Sequence, residues 1–286
     1  MSVITANEVS ETRRIVNVAS VPKRSPFRYP GGKTWLVPFV REWLLRMPHR
    51  PALFVEPFCG GGIITLTAVM ENLVDKALIV ELDTQVASVW RVILNGDADE
   101  LTARILNFQI SRESARNELE KEPRNLLDLA FQTILRNRVQ RGGILAPGAS
   151  FVKNGEKGHG VASRWYPETL AGRIRAIRQH RKRIEFVEGD GLEVVHRYYR
   201  RKSVAFFVDP PYTAGGKRAG KRLYLHNQLD HEKLFGYLAK AAGPVMMTYD
   251  DAPEPNFLAQ QFGFTITKIP MKSTHHATMY ELVITK

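Results

Sequence analysis

The tetrapeptide Asp209-Pro210-Pro211-Tyr212 sets a carboxylate and an aromatic ring three residues apart on a backbone stiffened by two prolines. It directly follows Val204–Val208, an apolar run with the length and composition of a buried strand. Prolines carry no amide hydrogen, so their carbonyls stand as acceptors beside the carboxylate. Together these groups form a clamp for a flat group bearing an amine. Asp209 and the Pro210 carbonyl accept its two N–H bonds, and Tyr212 stacks on its face.

A second constellation lies upstream. Val55-Glu56-Pro57-Phe58-Cys59-Gly60-Gly61-Gly62 joins an apolar run to a helical pattern, where glycines let backbone approach a ligand at the carboxyl end of a strand. The spacing is neither Gly-x-Gly-x-x-Gly nor a loop closed by Gly-Lys-Ser/Thr, so a nucleotide-like ligand without a pyrophosphate is expected. Glu81, about 20 residues after the glycine turn, ends the next apolar run, where an acid can accept from two ribose hydroxyls. Asp190 follows the run Ile184–Glu188 and is read as an acceptor for an adenine amino group; helix N-capping before Gly191 is the competing role.

The elements that position these residues follow from the apolar runs Ala52–Glu56, Ala77–Glu81, Ile184–Glu188, Val204–Val208, Pro244–Thr248, Phe264–Ile269 and Met279–Ile284. Amphipathic stretches of helical length separate most of them, among them Ile63–Leu73, Gln85–Leu94 and His231–Ala241. Strands alternating with helices argue a doubly wound α/β sheet with a largely parallel core. About 100 residues separate Glu81 from Ile184, far more than one crossover needs. The excess reads as an insertion, with two or three helices over 98–140 and a glycine-rich loop over Arg141–Ser163. The expected organisation is a flexible arm over 1–24, a ligand-binding domain over 25–97 and 182–286, and an inserted subdomain over 98–181.

The formal net charge is +12, and the basic residues are concentrated. Arg136–Lys202 holds sixteen basic against six acidic side chains, and Lys217, Arg218, Lys221 and Arg222 add four more. Such clusters in glycine-rich context point to a polyanion, nucleic acid first, with a solvated helix face as the bland alternative. Cys59 is the single cysteine, which excludes an intrachain disulfide and a multi-thiolate zinc site and suits a reducing cytoplasm. His275-His276 lacks metal-ligand spacing, so no metal is expected. No apolar run of about 18 residues occurs, so neither a membrane span nor a membrane partner is expected.

Phe27-Arg28-Tyr29-Pro30-Gly31-Gly32-Lys33, Glu56-Pro57-Phe58-Cys59-Gly60-Gly61-Gly62 and Asp209-Pro210-Pro211-Tyr212, in that order, resemble the Dam-type (D12 class, α-group) DNA adenine-N6 methyltransferases. The resemblance runs from about Phe27 to the C-terminus. It implies a Rossmann-like methyltransferase sheet, mostly parallel with an antiparallel C-terminal strand, and S-adenosyl-L-methionine as cofactor. It also implies transfer of a methyl group to N6 of an adenine flipped out of double-stranded DNA. Carried over to this chain, the catalytic set is Asp209, Pro210, Pro211 and Tyr212. The cofactor set is Tyr29, Lys33, Glu56, Pro57, Phe58, Gly60, Gly62, Glu81, Asp190 and Asp209. Target recognition is expected in the insertion, and DNA contact at Arg136, Arg138, Arg141, Lys217, Arg218, Lys221 and Arg222.

The chain departs from the family pattern at Tyr29, more often Trp, and at Glu81, more often Asp. Arg141–Gly148 does not match the recognition hairpin of GATC-specific members, so the GATC target is not carried over. A cognate restriction endonuclease would fit a modification enzyme, but the chain does not specify one, and DNA binding would associate the protein with the nucleoid. Competing readings are an RNA-adenine or protein-glutamine methyltransferase, a catalytically silent DNA-binding relative, and a dinucleotide oxidoreductase. The glycine spacing disfavours the last.

Overall fold

A computed structural model of the chain describes residues 16–28, 32–145, 149–155, 158–211, 229–272 and 278–286. All seven apolar runs become strands of one sheet: β1 (Leu53–Glu56), β2 (Lys76–Glu81), β3 (Ile184–Glu188), β4 (Val204–Val208), β5 (Val245–Asp250), β6 (Thr265–Lys272) and β7 (Thr278–Thr285). Their spatial order is β3-β2-β1-β4-β5-β7-β6. The first five in that order run parallel, and β7 is antiparallel to both of its neighbours. The chain reverses strand order beside β1 and β4, and a crevice forms at the carboxyl ends of strands at such a switch point.

Helices cover both faces, because strands buried on both sides need apolar cover above and below. Before the insertion come α1 (Val37–Leu45), α2 (Ile63–Met70) and α3 (Thr84–Asn95). The insertion supplies α4 (Ala98–Asn107), α5 (Arg112–Leu119), α6 (Leu126–Val139) and α7 (Pro167–Gln179). After it come α8 (Gly191–Tyr198), α9 (His231–Ala239) and α10 (Pro253–Gln261). Polar side chains start several of them: Asp83, Asn125, Asp190 and Asp230 each accept a backbone N–H in the first turn of α3, α6, α8 and α9.

The two-residue period of β4 sorts its side chains into two cores. Ala205 and Phe207 join Phe54 and Ile79 in one core with Trp90 of α3, Ile105 of α4, Phe131 of α6 and Ile174 of α7. Val204, Phe206 and Val208 join Val55 and Leu78 in the other, against Val195, Phe235 and Leu258 of α8, α9 and α10. The inserted helices thus share a hydrophobic core with one face of the sheet. Residues 16–24, the end of the expected arm, also pack onto the domain: Val21 is buried, and Arg24 pairs with Glu71 at 3.0 Å. No described helix is long and apolar enough to cross a membrane.

Candidate active site

A cavity of about 720 Å³ opens at the carboxyl edge of the sheet and brings most of the sequence-derived site together. Its walls include Lys33, Glu56, Pro57, Phe58, Gly60, Gly62, Glu81, Asp190, Asp209 and Pro211. Pro210 is buried. Tyr29, Tyr212, Lys217, Arg218, Lys221 and Arg222 lie outside the described residues, as do His275 and His276.

The glycine loop needs glycine at Gly62. Its φ of +61° is left-handed, and a Cβ there would stand 2.8 Å from the Trp90 ring. Trp90 also donates from Nε1 to the Gly60 carbonyl at 2.9 Å, so α3 supports the loop from below. Glu81 ties the loop to the end of β2. One carboxylate oxygen accepts the Gly60 amide at 3.0 Å, and the other accepts the amides of Leu82 and Asp83 at 2.9 Å each. Burial pushes the Glu81 carboxyl up to about 7 against the pull of those three donors. Glu56, which accepts the Thr65 amide at 3.0 Å, is pushed up by burial to about 8, with nearby Asp209 adding to the rise.

Asp209 is held by partners that the tetrapeptide does not reveal. The Lys33 ammonium bridges Asp209 Oδ1 at 3.0 Å and Glu281 Oε1 of β7 at 2.9 Å, and it is 5% exposed. The Thr248 hydroxyl of β5 donates to the same Asp209 oxygen at 2.8 Å. Burial alone would pull the lysine down, but the two carboxylates outweigh it and hold Lys33 above the usual lysine range. Asp190 caps α8, accepting the Leu192 amide at 2.8 Å, and also lines the cavity, so both roles weighed for it are geometrically served.

The basic segments serve structure more than their charge count suggested. Arg138 is 3% exposed and donates to the Pro26 carbonyl, so it is withdrawn from the outer surface where the expected DNA backbone contact would be made. It lines the cavity, and burial with Arg173 and Arg28 nearby pushes it down to about 9. Arg136 donates to Gln85 Oε1 at 2.5 Å and lies off the cavity, whereas Arg141 is exposed. Arg178 donates to the Leu94 carbonyl at the end of α3, and Arg183 to the carbonyls of Val69, Val74 and Asp75. These arginines satisfy orphan carbonyls at helix and turn ends.

Asn137 emerges as a residue that sequence reasoning missed. Fully buried, it accepts the Arg28 amide at 2.8 Å and donates to the carbonyls of Arg28 at 3.1 Å and Gly143 at 2.8 Å. It clamps the end of α6 to the segment leading into Lys33. His231, read as a helix-start residue, contacts the Tyr249 hydroxyl at 2.9 Å through Nδ1. Among the described residues no three His, Cys, Asp or Glu side chains are grouped to hold a metal ion.

Glycine loop, strand-ending acid and anchored aspartate share one cavity at the edge where open α/β sheets bind ligands. Residues 29–123 match the family model of the D12 class N6 adenine-specific DNA methyltransferases. The matched stretch holds Lys33, the glycine loop and Glu81, and bears out the resemblance read from the sequence. With it come S-adenosyl-L-methionine as the cofactor and methyl transfer as the chemistry. Asp209 and most of the insertion lie beyond it.

No curated protein matches the chain in sequence. Among solved structures, a candidate RNA methyltransferase from Pyrococcus horikoshii is similar at 9% identity and a TM-score of 0.43, covering 94% of this chain and 92% of that one. The rRNA methyltransferase aviRa from Streptomyces viridochromogenes shows 14% identity and a TM-score of 0.38 over 90% and 86% of the two chains. An S-adenosylmethionine-dependent methyltransferase from Agrobacterium tumefaciens shows 9% identity and a TM-score of 0.40 over 88% and 61%. Likeness at this level says nothing of substrate, and the fold class rests on the strand order itself.

Proposed function

We propose that the chain transfers a methyl group from S-adenosyl-L-methionine to N6 of an adenine extruded from double-stranded DNA. The observation that carries the reading is the anchored carboxylate: Asp209, at the end of central strand β4, is gripped by Lys33 and Thr248 in the cavity that the glycine loop lines. The cavity volume is ample for an adenosine ligand. Glu81 would take the ribose hydroxyls, Asp190 the adenine amine, and Glu56 with Phe58 the remainder. The cofactor supplies a methyl group on a sulfonium, already activated for in-line displacement.

The chain's own task is positioning. An exocyclic adenine amine is a weak nucleophile because its lone pair is delocalised into the ring. Accepting N6–H bonds at Asp209 and the Pro210 carbonyl favours a more tetrahedral nitrogen and stabilises the positive charge that develops on it. Asp209 then takes the proton, directly or through water. Tyr212 replaces stacking that the base loses on leaving the duplex. The surplus of cations supports a nucleic-acid substrate, and the insertion over 98–181 is proposed to read the target sequence.

The test is transfer of labelled methyl from S-adenosylmethionine to duplex DNA, single-stranded RNA and a glutamine peptide in parallel. Label in N6-methyladenine of the duplex is expected. Label confined to RNA or peptide would replace the substrate, and cofactor binding without transfer to any of them would mark a silent relative. Sequencing that reports N6-methyladenine in DNA from expressing cells then gives the recognition sequence.

A further inference from the structure

The edge of the sheet away from the cavity is unlike the catalytic edge. Parallel strands begin there, and their register sets the starts nearly level: Leu53 pairs with both Lys76 and Val204, and Ala77 with Ile184. The first residues of β3, β2, β1 and β4 therefore lie side by side, roughly 4.8 Å apart per strand. Cations cluster at or within a few residues before them. Arg181 and Lys182 precede β3, Lys76 opens β2, Arg50 precedes β1, and the run Arg200–Lys202 precedes β4, all exposed.

Two carboxylates near this edge are already engaged, whereas exposed Glu185, one residue into β3, takes part in no ion pair among the described residues. Asp75 pairs with Arg50, and Glu71 pairs with Arg24 and Arg41. Among the described residues Lys76, Arg181, Lys182, Arg200, Arg201 and Lys202 take part in no ion pair. The opposite edge carries Glu56, Glu81, Asp190 and Asp209 at or just beyond its strand ends. Like charges gathered at one edge repel one another, a cost that a polyanion would relieve. The scaffold is also braced, since Arg183 donates to the Val69 carbonyl in the last turn of α2 and to the Val74 and Asp75 carbonyls of the loop before β2. Arg201 lies 4.5 Å from the Tyr198 ring centre and Arg200 5.3 Å from that of Tyr199, pairs of plane and charge suited to a nucleic-acid backbone.

We propose that this amino-terminal edge of the sheet is a second polyanion-binding face that holds the phosphate backbone of a nucleic-acid segment other than the one whose base enters the cavity. Strands of four to six residues put the two edges roughly 15–20 Å apart. A duplex engaged at the cavity sits on the opposite edge, and a second segment, or a distant part of the same long molecule, meets this one. The inference rests on the DNA reading above for the first segment and on charge placement for the second.

The test compares the parent with the variant Lys182→Gln, Arg200→Gln, Arg201→Gln, Lys202→Gln. Immobilised full-length protein is titrated with a fluorescent non-specific duplex over a salt series, and methyl transfer to a short duplex is measured separately. The parent should hold two duplexes and the variant one. The slope of log K against log salt for the weaker site should flatten by about 0.9 for each phosphate that the variant no longer neutralises, with transfer to the short duplex unchanged. Unchanged stoichiometry and slope would overturn the second face. Displacement of the second duplex by polyglutamate at equal charge concentration would overturn its assignment to nucleic acid in favour of an acidic protein. Loss of methyl transfer in the folded variant would overturn the separation of the two faces. A parent that methylates no adenine while the variant still loses the second duplex would sink the catalytic reading and leave this face standing.

Discussion

Glu281→Gln tests whether the ion triad tunes Asp209 or merely fills the space behind it. Both carboxylates lie within 3.0 Å of the Lys33 nitrogen, so their bonded oxygens are at most about 6 Å apart. A charge at about 6 Å with an effective dielectric of 20 is worth about 2.8 kcal/mol, and more at shorter range. Neutralising Glu281 removes that repulsion and leaves Asp209 as the remaining described carboxylate bonded to Lys33, so the ammonium draws more of the Asp209 charge away from an incoming amine. Turnover should fall on the order of tenfold, because an acceptor held more tightly by Lys33 stabilises the developing charge less well. Gln keeps an acceptor for Lys33, so the stability cost should stay near 1–3 kcal/mol. Single-turnover methyl transfer at saturating cofactor and DNA, beside thermal unfolding, reads both. A variant with the parent's rate would show that Glu281 holds Lys33 for structure alone.

Glu56 and Glu81, held near 8 and 7 against an unfolded value of about 4.3, keep protons that the unfolded chain has released. The unfolded state therefore binds fewer protons between about pH 4.3 and 8, and stability should fall as pH rises through that window. Thermal melts should show the fall, and Glu56→Gln should flatten it; an equally steep fall in the variant would assign it elsewhere. Asn137→Ala removes the acceptor of the Arg28 amide and the donor to two carbonyls, which should cost about 2–4 kcal/mol in urea unfolding, and a midpoint within error of the parent would mean that water replaces the clamp. Asp209→Ala should lose more than about 100-fold in single-turnover transfer, and Tyr212→Ala about 5- to 150-fold through weaker stacking. Parent-like transfer by Asp209→Ala would end the proposed mechanism.

The sheet was legible because its strands are short, apolar and bounded by turns, so periodicity and length located all seven. The charge count misled at Arg138, although a signal was present. Arg138 stands three residues after Leu135 and seven after Phe131, on the same helical face as two core side chains. Summed charge ignores that face, and periodicity would have marked the arginine as inward. Glu281 and Thr248 were missed because each sits at the end or within the span of an apolar run and was counted as part of a strand. A carboxylate in the interior of an apolar run is costly to bury without a partner. That cost signals that Glu281 must meet a cation, but only the fold says which, since Lys33 lies some 250 residues away in sequence. Asn137 was invisible for a related reason, because its three partners are backbone groups that no side-chain motif encodes.

These sequence distances bear on how the site is assembled. Lys33 enters from the segment before α1, Asp209 from the central strand and Glu281 from the antiparallel strand that closes the sheet. Lys33 with Asp209 alone would be a neutral pair, whereas the second carboxylate gives the triad a formal charge of −1, which suits the positive charge that develops on an amine held there. That carboxylate can come from β7 because the strand inserts between β5 and β6, placing Glu281 opposite Asp250 near the carboxyl end of β5. The antiparallel insertion is thus a means of delivering an acid to the catalytic edge. A parallel strand arriving by a crossover would present its final residues there instead, and the chain would have to continue over the cavity mouth. The charge state of the clamp is accordingly coupled to docking of the β6–β7 pair, which makes local opening of that pair and loss of a competent Asp209 one event.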